Sequence, residues 1–293
     1  MCGEEDLTKN CIIFLGTSAS IPQKNRFTQG VAICGSKDCI VVDSGEGIQI
    51  RINEAGIDHR HVKLIAISHS HGDHVHGLLP FIESLKMKLE SQKFYEKFVL
   101  TIVSPQDLCK YLNSSLDLFG IRYGDTLSIS CIDSKQLFQK KEYVSTPSGD
   151  VNILPLPVRH GELENAYGFY IEVNLKKRNI GIFYSGDGVC RDLCLDELRK
   201  LKPVIIIHEA TFLDYSKDSS RAYESGHATV YEASLLATEV NAYVLVLTHF
   251  SARYDRADFS DFISRARRVF SGEIHIAEDL AKIPLDILDL DQH

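Results

Sequence analysis

The sequence predicts an α/β protein in which sheets are covered by helices. Short apolar runs bounded by glycine or polar turns alternate along the chain with stretches of helical periodicity. Polar residues able to do chemistry recur where those runs stop, as in sites assembled from the ends of several strands. A hydrophobic content of 44% and a charged content of 25% over 293 residues suit a soluble globular protein with a large core.

The elements follow in order. Strands are expected over 11–15, 30–34, 39–43 and 64–68, with helices over 48–55 and 75–90. The middle of the chain gives strands over 98–103, 127–132 and 151–158 and a helix over 105–119. The last third gives strands over 166–173, 180–185, 204–208 and 243–248, with helices over 191–200, 229–240 and 259–269. No linker, repeat or low-complexity tract interrupts them, so residues 1–293 are expected to form a single domain.

Forty acidic and 32 basic residues give a net charge of −8, which excludes a globally basic nucleic-acid binder but not a local basic patch. No apolar run is long enough to span a bilayer, so no membrane partner is expected. Met1-Cys2-Gly3-Glu4-Glu5-Asp6 is acidic and lacks an apolar core, so no signal peptide is expected. None of the eight cysteines falls in a C-x-x-C pair, which argues against a cysteine zinc site. Cys34 and Cys39 flank a turn and could face each other across a hairpin, and Cys190 and Cys194 lie one helical turn apart. The expectation for the set is buried free thiols in a reducing cytoplasm.

One segment dominates the functional reading. His69-Ser70-His71-Gly72-Asp73-His74 follows directly on an apolar run over 63–68. Imidazole nitrogen and carboxylate oxygen are good ligands for zinc and similar divalent ions, and four of them in six residues, with partners elsewhere, suggest two ions. His160, Asp187 and His249 also stand just after apolar runs. A lone histidine there reads as a packed residue; together with the first cluster these become ligand candidates.

The order HSHGDH, VRHG, YSGDG, HEATF, GHAT and LTHFSARY resembles the metallo-β-lactamase superfamily and, more closely, the ribonuclease Z family of tRNA 3′-processing endonucleases. The resemblance runs from Phe14-Leu15-Gly16-Thr17 to Tyr254 and includes the loop Pro22-Gln23-Lys24-Asn25-Arg26. It implies a four-layer αβ/βα sandwich and a zinc-dependent endoribonuclease that removes the 3′ trailer of precursor tRNA. His69, His71 and His160 would hold one zinc, Asp73, His74 and His249 the other, and Asp187 would bridge them. Two Zn2+ per chain are thus implied, with Mn2+ or another divalent ion as the alternative. Asp73 is also the candidate to take the proton of the attacking water. Glu209 and His227 would form a pair that protonates the leaving 3′-oxygen, since a carboxylate orients an imidazole and favours its charged form. Relatives of this kind are homodimers. His208 is expected to be a packed strand-end residue, and His59, His61, His76 and His275 ordinary surface or loop residues.

Two departures from the family pattern matter. Only 26 residues separate His160 from Asp187, where short-form relatives insert a long flexible arm that grips tRNA; here that arm is expected to be absent. Phe27 follows Arg26 where relatives carry asparagine, and Gly188 replaces the threonine after SGD. Phe27 could stack on a base, but burial is the expected use of a lone phenylalanine. RNA would then be held by Lys24, Arg26 and Arg253, with Lys86, Lys88, Lys93 and Lys97 as weaker candidates whose ordinary reading is a solvated helical face. The missing arm and the acidic charge favour an alternative substrate class, small or cyclic phosphodiesters. A non-catalytic RNA-binding protein is a third reading, opposed by the complete ligand set.

Overall fold

A computed structural model of the chain describes residues 9–91, 97–121, 126–213, 215–254 and 259–286. The first sheet takes β1 (Cys11–Gly16), β2 (Gly30–Cys34), β3 (Cys39–Val42), β4 (Val62–Ala66), β5 (Phe98–Ser104) and β6 (Leu127–Asp133). The second takes β7 (Val144–Ser145), β8 (Val151–Pro157), β9 (Tyr167–Asn174), β10 (Asn179–Tyr184), β11 (Ile205–Glu209), β12 (Val244–Thr248) and β13 (Glu273–Ile276). A last strand, β14 (Lys282–Pro284), returns to the first sheet. The orders are β14-β1-β2-β3-β4-β5-β6 and β13-β12-β11-β10-β9-β8-β7.

Strand periodicity explains the layering. In β1, Ile12 and Phe14 face the second sheet, while Ile13 and Leu15 face the helices α1 (Ile48–Glu54) and α3 (Leu78–Ser91). Burial on both faces makes these strands read as continuous apolar runs rather than alternating ones. The core between the sheets joins Val31, Ile33, Ile40 and Leu64 to Ile153, Phe169, Ile171, Ile182, Ile207 and Val246. On the outer face of the second sheet, Phe183, Ile206, Leu245 and Leu247 pack against α6 (Leu193–Leu201), α8 (Val230–Glu239) and α9 (Ser260–Ala266) through Leu198, Ala233, Leu236 and Phe262. The result is the four-layer αβ/βα sandwich.

Topology places the site. β3 through β6 run parallel, as do β10 through β13, and β8 points the same way as β10 because each is antiparallel to β9. The carboxyl ends of β4, β8, β10, β11 and β12 carry the candidate site residues. β9 passes to β10 across residues 175–178, where Leu175 donates its N–H to the Arg178 carbonyl (2.9 Å).

Most expected elements fall within a residue or two of the observed ones. The helix expected over 75–90 is two pieces, a single turn α2 (Gly72–Val75) and then α3. Further helices not expected are α5 (Ser134–Lys140) and α7 (Tyr215–Ser225); α4 (Gln106–Leu118) was expected. α7 reads YSKDSSRAYES and offers the core little beyond Ala222, so its apolar periodicity is weak. No helix among the described residues is long and apolar enough to cross a membrane.

Six cysteines depart from the expectation of free thiols. Cys34–Cys39 closes the β2–β3 hairpin, Cys109–Cys131 ties α4 to β6, and Cys190–Cys194 joins the loop after β10 to α6. Such bonds in a reducing compartment are characteristic mainly of hyperthermophiles. Cys11 is buried outside these bonds, and Cys2 lies outside the described residues.

His59 is not an ordinary surface or loop residue. It is fully buried, its ring stacks on Phe81 at 5.2 Å, and Lys88 Nζ donates to its Nδ1 at 2.9 Å. Lys88 also donates to Asn53 Oδ1 (3.0 Å), so this lysine serves the α1–α3 packing rather than an open RNA face. Burial, then the Lys88 charge, push the His59 imidazole down to about 4, against the opposing charge of Asp58. The unfolded chain takes up a proton near pH 6.5 and the folded chain does not until about pH 4. Stability from this group is therefore complete above pH 6.5 and lost as pH falls towards 4. His59→Gln is expected to flatten the fall of Tm between those pH values; an unchanged slope would show that other groups carry it.

Candidate active site

The chain leaves β4 through Ile67 and Ser68, and His69 follows. His71 precedes the single turn of α2, which presents Asp73 and His74. His160 follows β8, Asp187 follows β10, and His249 follows β12 with φ +59°. The structure brings all seven side chains together. His69, His71, His160 and Asp187 form one group and Asp73, His74, Asp187 and His249 a second, with the ligand atoms of each group within 4.8 Å of one another. Asp187 belongs to both. Its carboxylate stands 3.3 Å from His74 Nε2, 3.2 Å from His249 Nε2 and 3.8 Å from His69 Nε2. His160 Nε2 faces His71 Nδ1 at 3.1 Å.

The donor set fits divalent ions. His69 Nε2, His74 Nε2 and Asp187 Oδ1 are buried without a hydrogen bond, although buried polar atoms normally have one. The opposite ring atoms are each held by the protein. Ser68 Oγ meets His69 Nδ1 (2.9 Å), Asp43 Oδ2 meets His74 Nδ1 (2.7 Å), the Gly226 carbonyl meets His160 Nδ1 (2.8 Å), and Thr211 Oγ1 meets His249 Nδ1 (3.0 Å). Outer partners of this kind fix ring orientation and aim the free nitrogen inward. Gly226 can lie this close to His160 only as glycine: its φ is +73°, and a Cβ would fall 1.7 Å from Gly161 N.

Charge is graded across the cluster. Burial, then the neighbouring His74, hold the His69 imidazole well below its usual range; burial, then His160, lower His71. Both are thereby neutral and able to bind a cation. Burial opposes charge on His74, but Asp187 and Asp43 outweigh it and hold the ring well above the usual range. Burial would raise Asp73 and Asp187, yet the surrounding imidazoles keep both carboxylates low, His249 foremost among them.

Glu209, at the end of β11, and His227 meet beside this cluster. His227 Nδ1 lies 3.1 Å from Glu209 Oε1 and 3.8 Å from Asp187 Oδ2. Burial disfavours the charged ring, but the Glu209 carboxylate and then Asp187 outweigh it and push His227 up to about 9. Glu209, His227 and His249 would themselves make a ligand group by distance. The carboxylate of Glu209 is already taken, however: Oε1 accepts from Gly188 N (2.7 Å), and Oε2 accepts from Thr211 N (3.2 Å) and Thr211 Oγ1 (2.6 Å). That arrangement suits an orienting carboxylate. His208 is packed at the strand end as expected, fully buried, with Nδ1 against the Glu209 carbonyl (2.8 Å).

The expected substrate contacts divide. Lys24 and Arg253 are exposed, Arg253 with its guanidinium 4.6 Å over the Phe212 ring. Arg26 does not face outward. Its Nη1 donates to Thr17 Oγ1 (2.5 Å) and the Ala277 carbonyl (2.8 Å), and its guanidinium lies over Phe250 and Phe259. Phe27 is half-buried under the Arg51 guanidinium. Lys86 pairs weakly with Glu90 at 3.9 Å, Lys97 is exposed, and Lys93 lies outside the described residues.

Sequence reasoning missed the supports. Asp43, φ +59°, accepts from Ser68 N, Ser68 Oγ and Tyr184 OH (2.8, 2.9 and 2.6 Å) besides meeting His74. Thr211 links Glu209 to His249. A polar residue directly after β3 was the available signal for Asp43; Thr211 lies inside the HEATF motif already singled out.

The chain is similar to several known proteins. Ribonuclease Z of Saccharolobus solfataricus is 28% identical over 302 aligned residues, covering 94% of this chain and 99% of that protein. The metallo-β-lactamase fold protein YhfI from Bacillus subtilis superposes with a TM-score of 0.70 at 18% identity, over 93% of this chain and 98% of its own. The short form of human tRNase Z superposes with a TM-score of 0.65 at 24% identity, over 94% and 99%. The expected resemblance to ribonuclease Z and the expected metallo-β-lactamase fold are thus borne out. The ligand set and these relatives together support a metal-dependent phosphodiesterase. A family model described as anti-Pycsar protein Apyc1 matches residues 11–268, and the chain belongs to that family.

Proposed function

We propose that the chain is a two-metal phosphodiesterase that removes the 3′ trailer of precursor tRNA. The observation that carries this reading is the convergence of seven ligand-type side chains on two overlapping groups, with the charged His227–Glu209 pair beside them. His69, His71 and His160 would hold one Zn2+, Asp73, His74 and His249 the other, and Asp187 both. Divalent ions held there supply Lewis acidity to phosphoryl oxygens and an activated water at neutral pH. The Asp73 carboxylate receives Ser20 N–H at 2.7 Å and faces His249 Nε2 at 3.4 Å; kept ionised, it takes the proton from water. His227, charged at neutral pH, gives a proton to the leaving 3′-oxygen while Glu209 holds the ring. Lys24 and Arg253 are the candidate phosphate contacts. Near-full-length similarity to proteins named ribonuclease Z supports the substrate. A homodimer, which rests on the resemblance alone, and a cytoplasmic location belong to the same proposal.

The short connection from His160 to Asp187, read as a single domain without a tRNA-gripping arm, favours a second substrate class, small or cyclic phosphodiesters. The net charge of −8 points the same way. One assay separates the readings: cleavage of a precursor tRNA and of bis(p-nitrophenyl) phosphate, each with and without chelator. Chelator-sensitive hydrolysis of both is expected. Hydrolysis of the small ester alone selects the second class, and hydrolysis of neither leaves a non-catalytic RNA-binding protein.

A further inference from the structure

The loop between β1 and β2 reaches the ligand cluster through the Ser20 amide. Ser20 N–H donates to Asp73 Oδ2 at 2.7 Å, and Ser20 holds φ +59° to do so. A non-glycine residue in the left-handed region is strained and persists only where its surroundings fix it. Those surroundings are specific. Ser18 N–H donates to the Phe27 carbonyl (2.9 Å) and Ala19 N–H to the Phe250 carbonyl (3.0 Å), while Gln23 Nε2 donates to Ser18 Oγ (2.8 Å). The base of the loop is so tight that a Cβ at Gly16 would fall 1.9 Å from the Thr28 carbonyl oxygen.

We propose that Asp279, from the C-terminal stretch between β13 and β14, is a positioning residue that clamps both ends of this loop and so sets the Ser20–Asp73 contact. Its side chain is 7% exposed. Oδ1 accepts from Thr17 Oγ1 (2.7 Å) at one end of the loop, and Oδ2 accepts from Phe27 N–H (2.7 Å) at the other. Arg51 Nη2 approaches the same Oδ2 at 3.4 Å. Arg26 completes the clamp, because Thr17 Oγ1, while donating to Asp279, accepts from Arg26 Nη1. Within Pro22-Gln23-Lys24-Asn25-Arg26, the arginine therefore holds the loop and the exposed lysine is left to meet substrate. The inference rests on the proposed function only for the role of Asp73; the clamp itself stands on the hydrogen bonds.

The test uses the full-length, zinc-loaded chain. Asp279→Asn cannot accept equally from Thr17 and Phe27, and Thr17→Val removes the hydroxyl while keeping the shape. Both are expected to speed hydrogen exchange at the Ser20 amide at least about tenfold, because the donor loses its fixed acceptor. They are also expected to lower kcat on bis(p-nitrophenyl) phosphate by about 10–100-fold, the usual cost of losing an outer support, with KM and the metal-to-protein ratio held. Thr17→Val keeps the question open to decision should Asp279→Asn fold poorly. A lower Tm with unchanged Ser20 exchange and unchanged kcat in these variants overturns the clamp. Should the wild-type chain hydrolyse neither this ester nor precursor tRNA, the proposed function fails, and the Ser20 exchange rate still decides the clamp.

Discussion

His227→Ala is expected to lower kcat for phosphodiester hydrolysis by about 10²–10⁴-fold while the metal content stays unchanged. The ring sits 3.1 Å from Glu209 Oε1, and with its acidity shifted to about 9 it is charged at neutral pH, the state a proton donor needs. Glu209→Gln removes the charge that sustains that state and is expected to act on the same step. The double variant should then be scarcely slower than His227→Ala alone, because residues that act as a unit are far from additive. Kinetics on a small diester, paired with metal analysis of each variant, provide the check. Loss of an ion from His227→Ala would make the ring a ligand, a role its distance to Glu209 and His249 permits, and would end the proton-donor assignment.

What the sequence reveals about this site depends on how local each feature is. The His69–His74 segment is legible because five of its six residues are of ligand type or glycine and follow an apolar run. His160, Asp187 and His249 are legible only as residues after strands, and they become informative once the first cluster is known. Asp43 and Tyr184 meet across 141 positions of sequence, and no local pattern announces that contact. Arg26 shows the opposite error. An arginine in a polar loop looks the same whether it meets phosphate or packs inward, and only Thr17, Ala277, Phe250 and Phe259 around it decide the matter. His59 was misjudged for the same reason, since the aromatic face of Phe81 and the ammonium of Lys88 come from a different element. The fold was easier, because strands buried on both faces carry long apolar runs. α7 was missed because it is polar almost throughout, and β13 and β14 because they are short edge strands.

Asp187→Ala is expected to cost more than any outer-support change, lowering hydrolysis by more than the about 100-fold such changes reach. The reason is its position. It is the one side chain common to both ligand groups, 3% exposed, with His69, His74, His227 and His249 all within 3.8 Å of its oxygens. Removing the carboxylate takes away the ligand that both groups share and leaves Asp73 and Asp43 as the anions beside His74 and His249, so each group loses a donor. Metal content should therefore fall below two ions per chain, whereas His227→Ala keeps both. Asp187→Asn preserves volume without charge and should behave like alanine if charge is the cause. An Asp187→Ala protein that still held two ions and worked within tenfold of wild type would show that the two groups are independent, and the shared-carboxylate arrangement would have to be abandoned.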